Sequence, residues 1–264
     1  MINDLNSQRL FTNLDIIQDK NIKTCRETTA SQLKDFLSTL YVIRIELDNC
    51  LSKIWNNYDL MVCKESGMGH LVLSGAKDIL PYVEERENFE AVLSSYVSGI
   101  RVVEGVIFEG AYVQACTLIR QELEALAQMR HIIKGTARPK KTPNIKILEK
   151  HYKLLYSELT DVAHLSCHDS VSPMAKGNSM SEMLISPLQY SFISNFDENL
   201  SKNLFATHYA ILIEVIFGLE DYFRKHIPQI KLSSDTASKL NEAYNELVKS
   251  VPGLELESKT RTES

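Results

Sequence analysis

The chain predicts an all-α fold, a multi-helix bundle of six to eight helices. Helix breakers are scarce, with 10 glycines and 7 prolines in 264 residues, which favours long helices over short strands joined by turns. Apolar residues recur at three- and four-residue steps through most of the chain, the period of a helix face. No run of four to eight residues alternates strictly in a β-rich context; residues 188–193 come nearest and fall short.

Residues 4–19 carry Leu5, Leu10, Phe11, Leu14, Ile16 and Ile17 and read as a short leading helix. Thr29, with Gln32 three residues on, has the pattern of a capping box. Leu33, Phe36, Leu37, Leu40, Ile43, Leu47, Leu51 and Ile54 then carry a helix to about residue 58. Gly67 and Gly69 break the chain. A shorter helix over 70–80 stops near Pro81, and another covers 87–108. Gly110 separates it from a very apolar helix over 111–134, and Gly135 stands where a glycine follows a helix C-cap. Residues 135–142 form a basic linker. Thr142-Pro143 reads as an N-cap with proline in the first turn, opening a helix to about 168. Residues 169–195 dissolve into Ser, Pro, Gly, Asn and Met, a pattern expected of a mobile loop or lid. Asn195 caps the next helix, to about 226, and a last helix spans 235–249. One helical domain over 1–252 follows, with an N-terminal helical subdomain over 1–80 compatible with the break, and a disordered tail over 253–264.

The net charge is −5, so the chain as a whole lacks the basic footprint of a general nucleic-acid binder. Its five cysteines are odd in number, widely spaced and form no Cys-x-x-Cys, which predicts reduced thiols and no thiolate zinc site. The polar N-terminus has no signal pattern. The most apolar stretch, 204–223, contains His208, Glu214, Glu220 and Asp221; these suit a buried core helix and not a membrane span. A cytoplasmic protein is the expectation, with no cofactor.

Three constellations could carry chemistry. On the helix over 111–134, Thr117, Arg120, Glu124, Gln128 and His131 fall on one side. Arg120 and Glu124, four apart, can pair directly, while Glu122 and Arg130 fall inside the apolar arc and need partners if buried. On the helix behind Pro143, Tyr156, Thr160, His164 and His168 follow at four-residue steps. His164 and His168, with Asp161, form a weak metal candidate; Leu165 stands where zinc metalloproteases carry glutamate. A structural ladder of hydrogen bonds is the plainer account of the same residues. The third constellation is charge. Residues 130–153 hold Arg130, Lys134, Arg138, Lys140, Lys141, Lys146, Lys150 and Lys153 against Glu149 alone, a local +7 that leaves −12 for the rest. Arg138, Lys140 and Lys141 are candidate phosphate binders. No aromatic residue lies between Arg130 and Asn144, so base stacking is not encoded there.

Arg120-x-x-x-Glu124 followed by Tyr156-x-x-Leu159-Thr160-x-x-x-His164 resembles a set of uncharacterised bacterial helical proteins with an Arg-x-x-x-Glu helix and a Tyr-x-x-Leu-Ser/Thr-x-x-x-His helix. Those are similar in turn to the HEPN-like helical superfamily, which includes ribonucleases and defence components. The resemblance spans about residues 100–225 and implies that Arg120, Glu124, Tyr156, Thr160 and His164 meet in one polar cluster. One departure is plain: HEPN ribonucleases carry Arg, then four to six residues, then His on one helix, and none of the seven histidines here has an arginine at that distance before it. The phosphate-loop, dinucleotide, nucleophile-elbow and zincin signatures are missing too. The chain therefore predicts a non-catalytic interaction or regulatory module, with a protein partner or homo-oligomer, in a bacterial defence or stress system. The alternatives are an RNA- or nucleotide-acting enzyme that holds nucleic acid through residues 130–153, and a metal-dependent bundle enzyme.

Overall fold

A computed structural model describes residues 13–56, 80–138, 140–165, 171, 174, 194–226 and 233–250. Their regular structure is helical throughout: α1 Asn13–Gln32, α2 Lys34–Asn56, α3 Leu80–Phe108, α4 Tyr112–Ile133, a 3-10 turn Ile145–Ile147, α5 Lys150–Ala163, α6 Glu198–His226 and α7 Ser234–Ser250. The fold is an all-α multi-helix bundle, and no strand occurs among the described residues. The expected helix over 70–80, the weak strand over 188–193, nearly all of the 169–195 loop and the 253–264 tail lie outside them.

The middle of the bundle is α4 and α6. Tyr112 meets Ser201, Glu122 meets His208 and Arg130 meets Glu214, so the two helices run parallel. α3 runs antiparallel to α6: Glu104 pairs with Tyr209, Phe89 stacks on Tyr222 with ring centroids 4.0 Å apart, and Glu85 pairs with Lys225. α5 folds back along α4, with Tyr156 beside Arg120 and Glu149, just before α5, on Arg130. One contiguous apolar cluster runs from Leu33 on the α1–α2 junction to Leu247 on α7, and its burial is the main stabilising term. The helices over Glu85–Phe108 and Glu198–Lys225 are long and apolar enough to cross a membrane; 28% of the apolar window of the first and 78% of that of the second is buried in the bundle.

Several expected boundaries move. α1 runs straight through Thr29, so Thr29 caps nothing; it is buried, and its carbonyl accepts the amide of Leu33. The capping-box pattern fails because an N-cap needs non-helical backbone, and Thr29 already sits mid-helix. α3 begins at Leu80, so Pro81 stands in the first turn, where its missing N–H costs nothing, and is not a stop. Thr142 opens no long helix. Asn144 instead accepts the amide of Lys146 to cap the short 3-10 turn, and α5 starts only at Lys150 because Leu148 and Glu149 are extended. α6 is capped by Asp197, whose carboxylate accepts the amide of Leu200, and not by Asn195. Asn195 has another part to play. Gly110, at φ +73, lies so close to it that an added Cβ would fall 2.5 Å from the carbonyl oxygen of Asn195.

Both glycines expected to end helices do so in the left-handed conformation. The amide of Gly110 bonds Ile107 and that of Ala111 bonds Val106; Gly135 bonds Ile132 and Thr136 bonds His131. Each pair is a Schellman termination, which satisfies carbonyls that the helix itself leaves bare.

Candidate functional site

α4 and α5 bring Arg120, Glu124 and Tyr156 together. The phenol of Tyr156 donates to Oε1 of Glu124 at 2.7 Å and accepts from Nη2 of Arg120 at 3.1 Å. Arg120 Nη2 lies 3.0 Å from the same carboxylate oxygen, closing a triangle, and the guanidinium sits 5.2 Å over the tyrosine ring. Burial, then the bond to Glu124, pushes the Tyr156 phenol up from its ordinary value. It therefore stays protonated near neutrality, with its one proton committed to Glu124.

The other two expected members are placed differently. The Thr160 hydroxyl donates to the carbonyl of Tyr156 at 2.7 Å, one turn back on its own helix. His164 is the C-cap of α5, exposed to solvent, and its side chain forms no hydrogen bond or ion pair among the described residues. Leu165 follows in the left-handed region at φ 53, so the helical period that put His164 in line with Tyr156 ends there. Asp161 is exposed as well. His168 lies outside the described residues, and among those described no three His, Cys, Asp or Glu side chains are grouped to hold a metal.

The two charged residues inside the apolar arc of α4 both find partners. Glu122 accepts from or donates to Nδ1 of His208 at 2.8 Å in the core between α4 and α6. Burial raises the Glu122 carboxyl above the ordinary glutamate range, and the histidine pulls it only partly back. Arg130 bonds Glu149 with one arm and Glu214 with the other, tying α4 to the start of α5 and to α6. A further polar set was not anticipated: Tyr209 donates to Glu104 at 2.8 Å, and Arg44 approaches the same oxygen at 3.4 Å. Glu122 and Arg130 on the apolar arc, with His208 and Glu214 on the apolar stretch 204–223, were the sequence signal for the first two sets; the third, Tyr209 with Glu104 and Arg44, had none.

The basic segment is exposed and unneutralised. Lys134, Arg138, Lys140, Lys141, Lys146, Lys150 and Lys153 are all exposed, and none forms an ion pair among the described residues. Three carboxylates of the surrounding helices are engaged by other cations, Glu149 and Glu214 by Arg130 and Glu85 by Lys225. His131 holds the segment's ends: Nδ1 lies 2.8 Å from the Thr136 hydroxyl and Nε2 3.0 Å from the Asn144 carbonyl. The carbonyl can only accept, so Nε2 carries a proton.

No family model, curated protein or solved structure matches the chain. The site stands on its own geometry.

Proposed function

We propose that the chain is a non-catalytic helical interaction or regulatory module, working in the cytoplasm as part of a bacterial defence or stress-response system. The observation that carries the non-catalytic part is the distance of the histidine from the polar cluster. Arg120 Nη2, Glu124 Oε1 and the Tyr156 hydroxyl bond one another, Arg120 Nε is buried with no partner among the described residues, and the histidine that would serve as general base stands apart, exposed, at the end of α5. An outward row on α2, Tyr41, Val42 and Ile45, all exposed, supports the interaction part, because clustered exposed apolar side chains mark contact surfaces. A protein partner or a second copy would cover it.

The test is a turnover screen of the full chain with single- and double-stranded RNA and nucleoside triphosphates, beside His164→Ala and Arg120→Ala. No product above background from any of the three is expected. Product made by the wild type and lost in His164→Ala, with its circular dichroism and melting unchanged, would overturn the reading. It would favour the second one, an RNA- or nucleotide-acting enzyme with a non-standard HEPN-like site, to which the unpaired cations of 134–153 also lend support.

A further inference from the structure

We infer that the surface over residues 134–153 docks the phosphate backbone of a nucleic-acid duplex. This names the partner chemistry of the interaction module, and rests on that reading only for its non-catalytic character.

Four observations carry it. Seven cations in twenty residues of chain are exposed, and none forms an ion pair among the described residues. Arg130 engages Glu149 and Glu214 and Lys225 engages Glu85, while Glu158 and Asp161 stay exposed on α5; the seven cations still outnumber the negative charge left among these side chains, so the local field stays positive. The connection between α4 and the 3-10 turn is tied near both ends, by the Schellman turn at Gly135 and by the imidazole of His131 between Thr136 and Asn144, and Lys150 and Lys153 stand on the first turn of α5. This tethering lowers the ordering entropy lost on binding. Finally, the exposed side chains between them are small or polar, Thr136, Ala137, Thr142 and Asn144, and the only exposed large apolar residue nearby is Leu154, just beyond Lys153.

That last point selects the partner. A protein interface draws its energy from buried aromatic and aliphatic anchors, and a stably bound membrane surface adds inserted apolar side chains to charge attraction; this surface offers charge and, beyond Leu154 at its edge, no exposed large apolar anchor among the described residues. A row of phosphates asks only for charge and hydrogen-bond donors. With Tyr152 buried and no Phe, Tyr or Trp exposed among residues 134–153, bases have no ring to stack on, so a duplex is favoured over a single strand, and sequence should not matter.

Fluorescence anisotropy of a labelled duplex against the full chain tests this directly. Affinity should fall on the order of a hundredfold between about 50 and 200 mM salt, the loss expected for about four phosphate contacts. A shuffled duplex should bind equally well. The variant Arg138→Ala/Lys140→Ala/Lys141→Ala should lower the log–log salt slope by about two to three while melting as the wild type does. Lys150→Gln/Lys153→Gln, on the first turn of α5, should lower it by up to about two and serves if the triple variant folds poorly. Polyglutamate and anionic phospholipid vesicles are measured in parallel. No duplex binding at the lowest salt, a slope indifferent to both variants, or tighter binding of either competitor would overturn the proposal. Cleavage of the bound duplex would overturn the non-catalytic reading and leave the docking intact.

Discussion

Glu122 and His208 meet in the core with water excluded, and each has one atom to spare. Among the described residues, Glu122 Oε1, His208 Nε2 and the nearby Tyr96 hydroxyl find no hydrogen-bond partner. Such a pair is costly to break and worth less than its geometry suggests. His208→Ala should cost about 3–5 kcal/mol, because it strands a buried carboxyl, whereas Glu122→Gln should cost far less; urea unfolding distinguishes the two. The pH dependence has a definite sign. The folded chain holds Glu122's proton at pH values where the unfolded chain, with an ordinary glutamate near about 4.3, has released it. Stability therefore falls as pH rises through the window that opens there, and Glu122→Gln lacks that fall. Melts of both proteins from acid to neutral pH should show the wild type losing ground to the variant; a constant gap would contradict the assignment. Cys116 offers a second check at this scale. Burial pushes its thiol up to about 12, so at neutral pH it should alkylate about a thousandfold more slowly than a free cysteine and react only on unfolding. Rapid labelling of the native chain, read peptide by peptide, would refute this.

Helix ends decide how these side chains are aimed. Gly110 terminates α3 at φ +73 against the backbone of Asn195. Gly110→Ala combines left-handed strain with a backbone clash and should cost about 3 kcal/mol or more. Gly105→Ala, one turn earlier on the same helix, meets nothing within 4 Å and should add about 0.5–1 kcal/mol. Equal effects would mean that the α3–α4 corner is not built as described. At the other end of α4, His131→Ala should speed amide exchange at Thr136 and Lys146 and leave mid-helix amides untouched; unchanged protection would show that the imidazole holds nothing. Much of this was legible in the residues. Glycines at 110 and 135 announce their turns because only left-handed backbone suits them, and Glu122 and Arg130 stand out on an apolar arc. Cap positions were less legible. Thr29, Thr142 and Asn195 are all good capping residues, but whether the backbone is non-helical there is settled by packing, at the buried Leu33 junction, the extended Leu148 and the Gly110 contact.

In the whole molecule, the parallel α4–α6 core fixes two surfaces that differ in character. One is the α4–α5 groove, where Arg120, Glu124 and Tyr156 bond one another; the family resemblance had placed Thr160 and His164 with them, but Thr160 bonds its own helix and His164, the C-cap of α5, is exposed. A four-residue ridge drifts by about 40° per step around the helix, so its last member leaves the face its first member shares with α4. The other surface is the basic segment, whose charge was plain from composition while its tethering was not, since the bonds of His131 depend on a turn that no motif encodes. On the proposal above, the second surface binds nucleic acid and the first supports the fold. This division is tested most directly by measuring duplex affinity at one low salt concentration for Arg120→Ala, Tyr156→Phe and Arg138→Ala/Lys140→Ala/Lys141→Ala. The first two should lose stability, about 0.5–1.5 kcal/mol for the lost phenol bonds, and bind as the wild type does, while the third should melt normally and bind at least about tenfold more weakly. Binding lost in the first two and kept in the third would place the working site in the groove and contradict the account.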